Sequence, residues 1–258
     1  MSKKTYNLQS TTYNFYSVII GTELLNGRRR DKHFRFLNEE LLKRGWEQKA
    51  SFVIKDEPQF IIDTFNFIKQ DKDAVIFCFG GIGATPDDFT REAAAKAFRG
   101  GKMEINDGAK QAIIEQFGEK ETYPHRINMA KLPIEAKLLK NIITNVPGFY
   151  LDEKYFFVPG FPSMAKNMVL EALDKFYPKN KEKYRYSLKA QCGENLLIDT
   201  MKRLPKDLDF SSLPQINGEQ RAVIISIASY KKEEAKKYFK YFTLFLEQEG
   251  IKYTLTDK

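Results

Sequence analysis

The chain has 258 residues, 42% hydrophobic and 29% charged, a composition that supports a sizeable core without disulfides and excludes a disordered or low-complexity polymer. Its net charge is +8, but lysines and arginines are spread along the chain and interleaved with acids, which describes solvated faces and argues against a nucleic-acid partner. Residues 1–16 place polar residues where an export signal needs an apolar core, and no run approaches the ~20 apolar residues of a membrane span, so a cytoplasmic protein without a membrane partner is expected.

Residues 15–20 form a β-rich run ending at Gly21, followed by a basic stretch and a helical pattern carried by Phe34, Leu37, Leu41 and Leu42. Gly45 stops that helix, residues 46–54 offer a second strand, and Asp56-Glu57-Pro58 opens a helix with Phe60, Ile61, Phe65 and Ile68 on one face. The run 74–79 is continuously apolar, as a central parallel strand covered on both faces should be, and Cys78 within it reads as a buried thiol. Neither Cys78 nor Cys192 has metal-ligand spacing, in keeping with a reducing compartment. An alanine-rich helix over 89–98 closes at Gly100-Gly101, another helix spans 107–117, and weak strands follow at 136–139 and 155–158. The latter runs into Pro159-Gly160-Phe161-Pro162-Ser163 and a helix over 164–176.

This alternation predicts a doubly wound α/β domain over 1–177. Residues 177–183, rich in Pro and Lys, have linker composition. Beyond them come a strand at 184–192, a helix at 194–203, an irregular loop containing Pro and Ser, a strand at 221–230, a helix at 233–248 and a last strand at 251–255, a small α+β domain over 184–258. The apolar strand Val223-Ile224-Ile225-Ser226-Ile227 and the helix residues Tyr238, Phe239, Phe242 and Leu246 are its expected core, with a dimer interface as the alternative use.

The segment Gly80-Gly81-Ile82-Gly83-Ala84-Thr85-Pro86-Asp87-Asp88 follows the apolar strand and precedes a helix, where open parallel sheets bind ligands. Gly80, Gly81 and Gly83 let phosphates approach the main chain, and a following helix supplies free N–H donors. Thr85, Asp87 and Asp88 have two readings that stay open together. Thr85 as N-cap, Pro86 at the first helical position and Asp88 three residues on would start a helix. Alternatively the paired carboxylates hold a divalent ion such as Mg2+ against a phosphate, since without a cation they would repel it. The glycines do not complete the dinucleotide fingerprint, no P-loop is present, and His33 and His125 are too few for a histidine-rich metal site and read as surface or packing residues.

With Gly21-Thr22-Glu23-Leu24-Leu25-Asn26-Gly27 and Asp31 upstream, and Asn145-Val146-Pro147-Gly148-Phe149 and Val158-Pro159-Gly160-Phe161-Pro162-Ser163-Met164 downstream, the glycine loop resembles the molybdenum-cofactor-biosynthesis (MogA/MoaB-like) domain family. The resemblance is strongest to the N-terminal region of competence/damage-inducible protein A (CinA). It covers most of 15–176. Two positions depart: Ala84 replaces a proline common in the family, and His33 stands where the family usually has asparagine.

The resemblance implies a three-layer sheet with helices on both faces and a ligand that is molybdopterin or an adenine nucleotide. It also implies metal-dependent hydrolysis of ADP-ribose-like pyrophosphates, with FAD as a further conceivable substrate. The same loops would equally serve a non-catalytic binding module. Asp87, Asp88 and Glu23 are the catalytic candidates, and Asp87 and Asp88 the metal ligands. Gly80, Gly81, Gly83, Thr85, Gly21, Asn26, Asp31, Gly160 and Ser163 are the ligand-binding candidates. A homodimer is expected from the family, and the deamidase domain of full-length CinA has no room in 258 residues.

Overall fold

A computed structural model describes residues 13–217 and 220–256. The chain divides into two compact units, residues 1–180 and 181–258.

In the first unit the strands are β1 Asn14–Ile20, β2 Gln48–Ile54, β3 Ala74–Phe79, β4 Met103–Ile105, β5 Lys131–Pro133, β6 Lys137–Leu139, β7 Gly148–Leu151 and β8 Tyr155–Val158. The helices are α1 Thr22–Leu25, α2 His33–Lys43, α3 Pro58–Lys69, α4 Thr90–Arg99, α5 Asp107–Phe117, α6 Glu119–Thr122 and α7 Pro162–Phe176. Six strands form one sheet in the order β2-β1-β3-β8-β7-β6, while β4 and β5 pair separately.

All six residues of β3 are buried, and the period-two alternation of a strand sends them to opposite faces. Val75, Phe77 and Phe79 pack with Leu37 and Leu41 of α2 and with Met168, Val169 and Leu173 of α7. Ile76 and Cys78 pack on the other face with Ile61 and Phe65 of α3 and with Ala93, Ala94 and Ala97 of α4. Two cores on one sheet make the three layers. The alanines give α4 a small-residue face, and Gly100 caps it in the left-handed region at φ 59°.

β1 pairs in parallel with β2 on one side and β3 on the other, so the chain reverses its direction of travel across the sheet at β1. That reversal opens a crevice at the strands' carboxyl ends. β8 continues the parallel set, but β7 and β6 run antiparallel to their neighbours, so the sheet is mixed. The three-residue β7–β8 connection, 152–154, places Asp152 and Glu153 at φ 53° and 57°, left-handed angles that turn the chain back between antiparallel strands. β7 lies in the Pro-Gly-Phe segment, which reads as a loop because Pro147 and Gly148 precede only Phe149, Tyr150 and Leu151.

The predicted linker is partly anchored. Tyr177 is buried and its hydroxyl donates to the Glu153 carbonyl at 2.6 Å. Trp46 Nε1 donates to the Pro178 carbonyl at 3.2 Å, and the Asn180 amide to the Arg44 carbonyl at 2.7 Å. Residues 177–180 therefore belong to the first unit.

The second unit contains β9 Tyr184–Ala190, α8 Ile198–Met201, β10 Asp209–Asn217, β11 Gln220–Ser229, α9 Lys232–Gln248 and β12 Tyr253–Leu255. Its antiparallel sheet has the order β10-β11-β9-β12, the β-α-β-β-α-β arrangement of ferredoxin-like units. Phe239, Phe242 and Leu246 of α9 pack with Leu188, Val223, Ile225 and Ile227, as expected for a core. Two expectations fail here. The segment read as an irregular loop contains β10, a nine-residue edge strand in which Pro214 is tolerated because an edge leaves backbone donors unpaired. The helix expected over 194–203 is a 3-10 turn, Glu194–Leu197, followed by the short α8. Among the described residues, no helix is long and apolar enough to cross a membrane.

Candidate functional site

The carboxyl ends of β1, β3 and β8 meet through main chain. Gly80 has φ 99°, and a Cβ there would lie 2.5 Å from the Ile20 carbonyl oxygen, at the end of β1. A Cβ on Gly160, just past β8, would lie 3.4 Å from Gly80 Cα. Gly81 has φ 68° and packs so closely that a Cβ would lie 2.2 Å from Thr90 Oγ1. Glycine is required at residues 80 and 81 by sign of φ and by space together.

The glycine loop is held from beneath by α4. The Thr90 hydroxyl donates to the Gly80 carbonyl at 2.9 Å, and the Thr90 amide to the Gly81 carbonyl at 2.9 Å. Arg91, buried at 4% exposure, donates through Nη1 to the carbonyls of Ile82 and Gly83. Burial pushes the guanidinium pKa down, while Glu92 and Asp88 oppose the shift. Arg91 Nε has no hydrogen-bond partner. A buried cation thus draws two loop carbonyls inward and leaves positive potential under the loop, a setting that favours an anionic ligand.

The acidic end of the loop is not the start of a helix. α4 begins at Thr90, and no side chain caps it. Thr85, Pro86 and Asp87 instead belong to a separate turn closed by Asp88, whose amide donates to the Thr85 carbonyl at 3.0 Å. Asp88 Oδ2 accepts from the Thr85 amide at 2.8 Å and from its hydroxyl at 2.5 Å. This bond also explains Gly83, where a Cβ would lie 2.6 Å from Asp88 Oδ2. Asp87 is exposed, and the polar groups of the Thr85 turn, its own backbone amide included, hold its carboxyl below the usual range.

Glu23, Arg29, Asp31, His33 and Gly160 line one small cleft at the ends of β1 and β8. Arg29 Nη2 donates to the Gly160 carbonyl at 2.8 Å, and Arg29 Nη1 lies 3.4 Å from Glu23 Oε1. Both partners of that ion pair are more than a third exposed, so it positions the guanidinium and contributes little stability. A Cβ on Gly21 would lie 2.9 Å from Glu23 Oε2, so Glu23 folds back over its own loop. Asp31 is half-buried and accepts from the amides of His33 at 2.8 Å and Phe34 at 3.1 Å, satisfying donors at the start of α2. Asn26 Oδ1 accepts from the Arg28 amide at 3.2 Å and from its Nε at 3.1 Å.

His33 is the packing residue it reads as, buried at 5% exposure and stacked on Phe79 with centroids 4.5 Å apart. Its Nε2 lies 3.1 Å from the Gly160 carbonyl, an acceptor only, so Nε2 carries the proton. Burial lowers the His33 pKa, outweighing the raising effects of Gly160 and Asp31.

Ser163 is exposed in the first turn of α7, which Pro162 opens, and its amide lies at the end of β8 while the Met164 and Ala165 amides donate to the Phe161 carbonyl. His125 is exposed, away from these loops in sequence. Among the described residues, no group of three or more His, Cys, Asp or Glu could hold a metal, so Glu23 does not join Asp87 and Asp88 in one cluster. Two carboxylates acting with ligand phosphates and water are enough for Mg2+, and exposed Asp87 with the second oxygen of Asp88 fits that smaller demand.

Asp56 had no functional signal, because an acid before Glu57-Pro58 resembles a helix start. It accepts from the Thr22 amide at 2.7 Å and hydroxyl at 2.8 Å, tying the end of β2 to the Gly21 loop. Arg29 was hidden in a run of three arginines whose composition describes a solvated loop.

The family model described as "Probable molybdopterin binding domain" matches residues 17–179. A CinA-like protein of Fusobacterium nucleatum is 32% identical over 192 residues, covering 72% of this chain and 47% of that protein. A second CinA-like protein, of Sulfurihydrogenibium sp., is 25% identical over 205 residues, covering 77% of this chain and 51% of the relative. The chain therefore spans about half the length of these relatives. The crystal structure of CinA from Thermoplasma acidophilum, described as of unknown function, matches with TM-score 0.58 at 27% identity, covering 64% of this chain and 98% of that one.

Proposed function

The chain belongs to the molybdopterin-binding, MoCF-biosynthesis domain family, and from that premise we propose that its strand-end loops bind a phosphate-bearing pterin or adenine nucleotide and hydrolyse ADP-ribose-like pyrophosphates. The observation that carries this reading is the meeting of Ile20, Gly80 and Gly160 as bare main chain at the switch point, above buried Arg91. Phosphates approach the amides of Gly81 and Gly83 and the Ser163 amide at the start of α7, whereas the Gly80 amide is taken by the Val158 carbonyl at 2.9 Å and the one Thr85 hydroxyl proton by Asp88 at 2.5 Å. Gly21, Asn26 and Asp31 wall the pterin or nucleoside end. Their oxygens are engaged by nearby amides, and of the three Asp31 lines the cleft itself.

Asp87 and Asp88 would hold a divalent ion, which supplies polarisation of a phosphoryl oxygen when bound. Asp87 stays ionised at neutral pH because its carboxyl is held low, and it is open to solvent, where an attacking water is at hand. Glu23 fixes Arg29. A second reading, a binding module without turnover, is favoured by the use of Asp88 to close the Thr85 turn. The expected assembly is a cytoplasmic homodimer, testable by light scattering.

Purified protein incubated with ADP-ribose and Mg2+ tests the proposal. Wild type should release AMP and ribose 5-phosphate, and Asp87→Asn should lose turnover while retaining wild-type melting temperature and ADP-ribose binding. Binding without product assigns the module, and neither binding nor product overturns both readings.

A further inference from the structure

The phosphate-facing loops leave open what recognises the planar ring of the ligand, and the answer lies one residue past Gly160. Phe161 is 61% exposed although it joins β8 to α7 beside the cleft. Its backbone is fixed, because its carbonyl accepts the Met164 and Ala165 amides at 3.0 Å each and so starts α7. Arg29 Cζ lies 5.6 Å from the centroid of its ring. That guanidinium is itself tethered, with Nη2 on the Gly160 carbonyl at 2.8 Å and Nη1 beside Glu23 at 3.4 Å. An isolated exposed Phe needs no explanation. An exposed Phe held against a twice-tethered Arg, adjacent to the Gly80–Gly160 seam, forms a flat and prepaid surface of aromatic and guanidinium character.

Resting on the proposed function, we infer that Phe161 and Arg29 form the stacking platform for the heteroaromatic ring of the ligand, pterin or purine, while the glycine loops take its phosphates. Phe161 supplies a π-face, which accepts any planar heterocycle and discriminates against ligands that have none. Arg29 restricts the ring to one side and adds positive charge near the phosphate-bearing chain. The platform makes the site selective for ring-bearing phosphates over sugar phosphates and inorganic pyrophosphate.

The test is calorimetric titration of the full chain with ADP-ribose, and in parallel with inorganic pyrophosphate, which has no ring. Phe161→Ala and Phe161→Leu should each weaken ADP-ribose binding about tenfold, leave pyrophosphate binding within twofold of wild type, and leave the melting temperature in place. Phe161→Trp should restore ADP-ribose affinity, since it keeps the π-face, whereas a role in packing alone would be rescued by Leu. Equal weakening of both ligands, or no change in either, overturns the platform while leaving phosphate binding standing. Failure of wild type to bind either ligand overturns the platform together with the functional reading beneath it.

Discussion

The glycine loop after β3 and the basic loop after β1 reach the same strand edge but are held in place largely by different means. The first is fixed from below by its own following helix, through Thr90 and buried Arg91, and Asp88 bonds within the loop. The second is fixed by distant partners: Asp56 of the β2 end grips Thr22, and the Gly160 carbonyl beyond β8 receives both Arg29 and His33. Only at Gly80, whose amide donates to the Val158 carbonyl at 2.9 Å, does the first loop also lean on a neighbouring strand end. The other loop depends on three strand ends staying in register, so the cleft it lines reports on the packing of the whole edge.

The difference predicts a hierarchy of damage. The largest effect should come from Gly80→Ala, which combines φ 99° with a Cβ 2.5 Å from backbone oxygen, and should cost about 3 kcal/mol or more in chemical denaturation. The matching change in the other loop, Gly27→Ala, meets open space at φ 79° and should cost only about 1 kcal/mol. Equal costs would remove the contrast. Arg91→Met comes next, at about 2 kcal/mol, because two loop carbonyls lose their donor, and hydrogen exchange should speed up first at residues 82–90. Asp31→Ala should cost about 1 kcal/mol by leaving donors at the start of α2 unpaired, with Asp31→Asn closer to wild type.

The smallest effect is titrational. Burial holds the folded-state pKa of His33 below its ordinary value, so below about pH 6.5 the unfolded chain binds the proton that the folded chain refuses. Stability from this group is complete above that pH and declines as pH falls toward the folded pKa. His33→Phe should flatten that part of the stability profile and leave neutral-pH turnover measurable. An unchanged acid limb would show that burial does not hold the His33 pKa below its ordinary value.

Much of the first unit was legible because its signals are local. Six apolar residues at 74–79 announce a strand covered on both faces, Gly100 marks a left-handed cap, and Pro162 marks the opening of α7. What escaped was non-local. β10 contains Pro214 and serines that describe a loop until an edge position excuses them, and β7 exists because β8 and β6 flank it. The site divided along the same line. The glycines are visible as conformational demands, but Asp56, Arg29 and His33 act through bonds to residues far along the chain, and no spacing encodes such a partner. Asp88 was legible as a partner of Thr85, yet the helix expected to open at Pro86 starts four residues later, at Thr90.

The seam where Gly80 and Gly160 touch has a consequence for redesign. Because the floor of the cleft is peptide backbone, its contour is indifferent to which side chains surround it. Ligand preference and scaffold integrity are therefore written at different positions. A combinatorial library at residues 29 and 161 would retune the choice of ring over an unaltered floor, whereas any library that includes 80 or 81 would yield mostly chains with a broken edge.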